Sequence, residues 1–101
     1  MVDLIEKNKD RLHELCKKYD IKTIYLFGSA TIDEFKDSSD FDILISFQDI
    51  PYDKYIDNYF ELHEELEKLF NRKVDLVTER SLSNPFFKES VEESKQLLYA
   101  A

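Results

Sequence analysis

Three aspartates and a Gly-Ser pair stand at spacings that suit phosphate and metal chemistry. Asp40 and Asp42 are one residue apart, ten residues after Gly28-Ser29, and Asp75 lies in the run Val74-Asp75-Leu76-Val77. Gly28 is the only glycine of the chain and ends the apolar run Ile24-Tyr25-Leu26-Phe27. Side chains alternate along a strand, so carboxylates at i and i+2 share one face. Two such groups repel each other unless a cation lies between them. Hard divalent ions such as Mg²⁺ take oxygen ligands of this kind and complete their shell with water and substrate phosphates. The spacing therefore predicts a site for a metal-bound nucleotide.

The elements that must position these residues follow from hydrophobic periodicity. Residues 3–19 carry a helical stripe of Leu4, Ile5, Leu12, Leu15, Cys16 and Tyr19, interrupted by the polar Asn8. Residues 21–27 are rich in β-branched and aromatic types and read as a first strand. A turn and short helix are expected over 28–39, and a second strand over 41–47. Pro51 opens a long helix with the stripe Tyr52, Tyr55, Ile56, Tyr59, Leu62, Leu66, Leu69 and Phe70. Residues 73–78 read as a third strand, and roughly 86–99 as a last helix.

In the second strand Phe41, Ile43, Ile45 and Phe47 form a wholly apolar face, opposite Asp40, Asp42, Leu44 and Ser46. The expected fold class is α/β, a small mixed sheet of three strands or slightly more, with helices mainly on one face. The other face is expected to be partly open and to gather Asp40, Asp42 and, if the strands are neighbours, Asp75. Adjacent strands lie about 4.8 Å apart, so three carboxylates could converge on one or two metal ions.

Bulk composition narrows the function classes. The 101 residues, with 43% hydrophobic content, are expected to form one domain over 1–101. A net charge of −8 is a poor match to a nucleic-acid backbone, so non-specific nucleic-acid binding is not expected. No run approaches the roughly 20 apolar residues of a membrane span, and the N-terminus has no signal-peptide character. The single cysteine, Cys16, excludes an internal disulfide and points to the cytoplasm. His13 and His63 have no ligand spacing and read as surface or boundary residues.

The pattern of Gly28-Ser29, ten residues, Asp40-Phe41-Asp42 and a later Val74-Asp75-Leu76-Val77 strand resembles the minimal nucleotidyltransferases, the small branch of the DNA polymerase β-like superfamily. The order of elements agrees over nearly the whole chain. The resemblance implies that Gly28 and Ser29 bind the nucleotide triphosphate. It also implies that Asp40, Asp42 and Asp75 are catalytic and hold two Mg²⁺ ions. The implied reaction transfers a nucleoside monophosphate, AMP from ATP or another NTP, to a hydroxyl. Members of this family pair with helical HEPN proteins in toxin–antitoxin modules, which implies a HEPN-type partner, a tyrosine acceptor, an antitoxin role and a homo- or hetero-oligomer.

The chain departs from the family at one place. Where the family usually carries Ala-Arg-Gly after the Gly-Ser turn and one variable residue, this chain has Thr31, Ile32 and Asp33. The arginine that would neutralise or position the nucleotide is absent, and Lys36 is the nearby cation. The alternative function is therefore a weak or inactive nucleotidyltransferase-like module that neutralises its partner by binding. The apolar end Leu97-Leu98-Tyr99-Ala100-Ala101 is expected to pack on the core or to join an interface.

Overall fold

The computed structural model describes residues 2–28 and 41–101. Ser29, Asp40, the expected short helix, the departure at 31–33 and Lys36 lie outside the described residues. Two helices begin the chain, α1 (Val2–Lys7) and α2 (Lys9–Lys18). The single helix expected over 3–19 is thus divided at Asn8, whose backbone (φ −106°, ψ 11°) leaves the helical region. Asparagine competes poorly inside helices and favours their ends. Leu12, Leu15 and Cys16 of α2 are buried at i, i+3 and i+4.

Strands β1 (Ile21–Phe27) and β2 (Phe41–Phe47) pair antiparallel. The long helix α3 (Tyr52–Phe70) follows, stopped by Asn71 in the left-handed conformation. Strand β3 (Val74–Thr78) then lies parallel to β2. A 3-10 turn (Glu79–Ser81), helix α4 (Pro85–Ser94) and strand β4 (Gln96–Ala100) complete the order. Asn84 caps α4 by accepting from the backbone N–H groups of Phe86 and Phe87 at 2.9 and 3.3 Å.

Among the described residues the strands form one mixed four-stranded sheet in the order β3-β2-β1-β4. β4 corrects the expected helix over 86–99. Helix α4 ends at Ser94, Lys95 is extended, and the apolar tail pairs antiparallel with β1. Central strand β1 has backbone groups on both sides, and β4 satisfies those that β2 leaves.

Helices α2 and α3 cover one face of the sheet. Their Leu12, Leu15, Cys16, Leu62, Leu66 and Phe70 pack against Ile24, Leu26, Phe41, Ile43, Ile45, Val74 and Leu76. The second face is less open than expected. Leu44 and Phe27 are buried there under Val91 of α4, with Tyr25, Val77 and Leu82 at the margin.

The corner between α2 and β1 is locked by one buried polar side chain. Asn58 of α3 donates to the Tyr19 carbonyl at 2.9 Å and to Asp20 Oδ2 at 3.2 Å. Asp20 adopts φ 58° and also pairs with Lys54 at 2.9 Å. Among the described residues no helix is long and apolar enough to cross a membrane.

Candidate functional site

Asp42 and Asp75 stand side by side. They are register partners in the parallel β2–β3 pair, each at the second position of its strand, so their side chains project from the same face. On the other side of β2, Asp42 is the partner of Phe27, the last residue of β1. The site is therefore set at one end of three adjacent strands, where β1 finishes and β2 and β3 begin. Asp42 is half-buried and Asp75 exposed.

Gly28 completes the corner. Its φ is 72°, in the region where a side chain is strained. A Cβ there would collide with Oδ2 of Asp42 and stand 3.3 Å from its Cγ. Glycine thus serves two ends, turning the chain out of β1 and leaving room for the Asp42 carboxylate. The Gly28 N–H donates to Oγ of Ser94 at 3.3 Å, and that hydroxyl donates to the Ser90 carbonyl at 3.1 Å. Ser94 therefore ties the end of α4 to the glycine turn, a link that nothing in its local sequence signals.

Beside the carboxylates the face is apolar. Phe27, Leu44 and Val91 are buried together, and Phe87 meets the Phe27 ring edge to face at 6.0 Å.

The partners of β3 were not readable from residue types. The Tyr59 hydroxyl donates to the Leu76 carbonyl at 2.5 Å, and His63 Nε2 lies 2.7 Å from the Val74 carbonyl. Since a carbonyl only accepts, this contact requires the hydrogen on Nε2. The Glu67 carboxylate accepts from the Val74 N–H at 2.9 Å. Burial pushes the Tyr59 hydroxyl pKa up, and the negative charge of Asp75 followed by Tyr55 adds to the effect. Tyr59 is thereby kept as a neutral donor. Tyr59 packs against the core beneath the sheet and at the same time holds the strand through its hydroxyl. His63, expected at a boundary, is half-buried against the strand.

The donor set fits a hard divalent cation. Asp42 and Asp75 supply oxygen from adjacent strands, about 4.8 Å apart at the backbone, and the glycine leaves the space between Asp42 and the turn unfilled by a side chain. Among the described residues no three His, Cys, Asp or Glu side chains gather into a metal cluster. Asp42 and Asp75 are the part of the expected triad that lies within the described residues. A cleft of about 600 Å³ lies elsewhere, at the far ends of β2 and β3, lined by Lys22, Ser46, Tyr55, Thr78 and Arg80, and contains neither aspartate.

Comparison with known proteins identifies the family of the fold. The family described as Polymerase beta, Nucleotidyltransferase matches residues 10–101. Protein adenylyltransferase MntA of Thermococcus cleftensis is 38% identical over 80 residues, covering 79% of this chain and 78% of the relative. A candidate protein adenylyltransferase of Methanocaldococcus jannaschii is 41% identical over 91 residues, covering 90% of this chain and 87% of the relative. A solved structure of a candidate minimal nucleotidyltransferase superposes with a TM-score of 0.76 at 26% identity, covering 93% of this chain and 92% of that one. A crystal structure of a toxin–antitoxin pair with AMP-PNP gives 0.71 at 26% identity, covering 93% of this chain and 74% of that one. The chain belongs to the polymerase beta nucleotidyltransferase family and is a nucleotidyltransferase with that family's fold.

Proposed function

We propose that residues 1–101 act as a single catalytic domain that transfers AMP from ATP to a hydroxyl of a partner protein. The acceptor we favour is a tyrosine of a HEPN-type helical toxin, which the chain would silence as its antitoxin in the cytoplasm. The observation that carries the reading is the pairing of Asp42 with Asp75 on one face, beside a glycine whose missing side chain makes room for Asp42. Support for the partner comes from relatives named protein adenylyltransferase and from a related fold found in a toxin–antitoxin complex with AMP-PNP.

Asp40, Asp42 and Asp75 would hold two Mg²⁺ ions. When bound, the metals supply positive charge to the α-phosphoryl group and the leaving pyrophosphate and lower the pKa of the acceptor hydroxyl. Gly28 and Ser29 would receive the triphosphate through backbone N–H groups and the serine hydroxyl. Asp75, exposed on the outermost strand of its side, would meet the acceptor and help to take its proton. The acceptor oxygen then bonds to the α-phosphorus as the bond to the β-phosphate oxygen breaks, and pyrophosphate leaves. A domain of this size has little room for an acceptor pocket of its own, which favours an acceptor carried by another chain.

Label transfer from α-labelled ATP in the presence of Mg²⁺ and a co-expressed HEPN-type helical protein tests the reading. A labelled partner band that needs both Asp40 and Asp42 is the expected result. A stable complex that carries no label, and that forms equally with Asp42→Ala, would overturn it. The chain would then act as a binding module, and Thr31, Ile32 and Asp33 would account for the lost turnover.

A further inference from the structure

Among the described residues strand β3 has β2 on one side only, so its outward backbone groups need partners from elsewhere. The Phe41 N–H donates to the Lys73 carbonyl at 3.1 Å, which turns alternate residues of β3 toward β2 and leaves Val74, Leu76 and Thr78 facing outward. The carbonyl of each outward residue is occupied by a side chain. His63 meets Val74 at 2.7 Å, Tyr59 meets Leu76 at 2.5 Å, and Ser81 meets Thr78 at 2.8 Å. Glu67 takes the Val74 N–H as well.

The arrangement is centred on one residue. Val74 and Leu76 flank Asp75, and their grips come from successive turns of α3, at positions 59, 63 and 67. The sole carboxylate of β3 is thus suspended between two residues that the helix holds by their backbone. Helix α3 is itself anchored in the core through Leu62, Leu66 and Phe70. An exposed carboxylate on an edge strand would otherwise shift with the fraying of that strand.

We infer that Tyr59, His63 and Glu67 are positioning residues that hold Asp75 in register with Asp42 by clamping the backbone on either side of it. The inference rests on the reading of Asp75 as a metal ligand. It adds that the ligand's placement is set by three side chains on the far side of the sheet, none of which needs to touch metal or nucleotide.

The test compares Tyr59→Phe and His63→Ala with His63→Gln in the full chain, with Asp75→Asn as the reference. Gln can still donate to the Val74 carbonyl and so serves as the rescue. Binding of Mn²⁺ alone, followed by electron paramagnetic resonance, is read beside amide exchange at Val74, Asp75 and Leu76. Tyr59→Phe and His63→Ala are each expected to weaken Mn²⁺ binding by about three- to tenfold, below the roughly 10–100-fold typical of losing a direct partner of a ligand. Exchange at the three amides should quicken, and His63→Gln should recover most of both effects. In label transfer the same two variants should lower kcat and leave the KM for ATP close to that of the unaltered chain. Wild-type Mn²⁺ affinity in Tyr59→Phe and His63→Ala, when Asp75→Asn has lost it, would overturn the inference alone. Undiminished Mn²⁺ binding in Asp75→Asn would remove the ligand reading beneath it, and the inference with it.

Discussion

Asp42 and Asp75 are direct partners across the parallel β2–β3 pair, two like charges on one face of adjacent strands. Such charges about 5 Å apart repel by roughly 1–3 kcal/mol at the effective dielectric of a protein surface. Asp75→Asn removes this repulsion and should leave the metal-free fold about as stable as before. Adding millimolar Mg²⁺ should then raise the melting temperature of the unaltered chain by several degrees and that of Asp75→Asn much less. About 4–8 °C per kcal/mol is the scale for a domain of this size. Differential scanning fluorimetry with and without Mg²⁺ checks both statements.

Gly28→Ala strikes the same corner from the other strand. The left-handed backbone at φ 72° costs a side chain about 1–2 kcal/mol before any contact is counted. The new methyl group also collides with Asp42 Oδ2, so the carboxylate must turn away. Urea denaturation should show a lower midpoint with an unchanged slope. Label transfer should fall by more than the stability loss explains, because the displaced group is Asp42.

Asn58 and Asp20 predict an acid-sensitive corner remote from the site. The hydrogen bond from Lys54 holds the Asp20 carboxyl below its ordinary range, assisted by the Lys54 charge and by Asn58 and opposed by burial. A depressed carboxylate stabilises the fold fully above the unfolded pKa, about 3.9, and loses that contribution as pH falls through the lower folded value. Asp20→Asn should remove this part of the acid response at a cost of no more than about 1 kcal/mol, the ceiling for a half-exposed ion pair. Asn58→Ala should cost more, about 1–3 kcal/mol, because it strips a buried carbonyl of its donor. Urea midpoints measured from pH 3 to 7 separate the two.

Cys16 should be chemically silent while the chain is folded. It is buried in α2, and burial pushes its thiol pKa up to about 12, so almost no thiolate exists at neutral pH. A chromogenic disulfide reagent should react fully only after urea is added, and the reaction rate in buffer should follow local or global opening.

Much of this arrangement is legible in residue order. The alternation Phe41, Ile43, Ile45 against Asp42 and Leu44 predicts which face of β2 carries the carboxylate; the first three are buried and Asp42 half-buried, while Leu44 is buried too, under α4. The long helix between β2 and β3 permits a parallel crossover, but that the two strands are neighbours, which brings Asp75 to Asp42, is left open by residue order and is seen only in the structure. Other features depend on tertiary context. Leu97-Leu98-Tyr99-Ala100 is a short apolar run, and periodicity alone does not separate a strand from the last turn of a helix. Its strand conformation is decided by the unpaired side of β1. The bonds from Tyr59, His63 and Ser94 join positions 11 to 66 residues apart, beyond the reach of local spacing.

The order β3-β2-β1-β4 also has a consequence for birth on the ribosome. Strand β1 is made early, yet its second neighbour is residues 96–100, so for most of synthesis the backbone donors and acceptors on that side of β1 lack their strand partner. The bond from the Gly28 N–H to Ser94 likewise forms only once α4 has emerged. A nascent chain stalled before residue 94 should therefore be prone to edge-to-edge pairing through β1 and should lack the tie between α4 and the glycine turn.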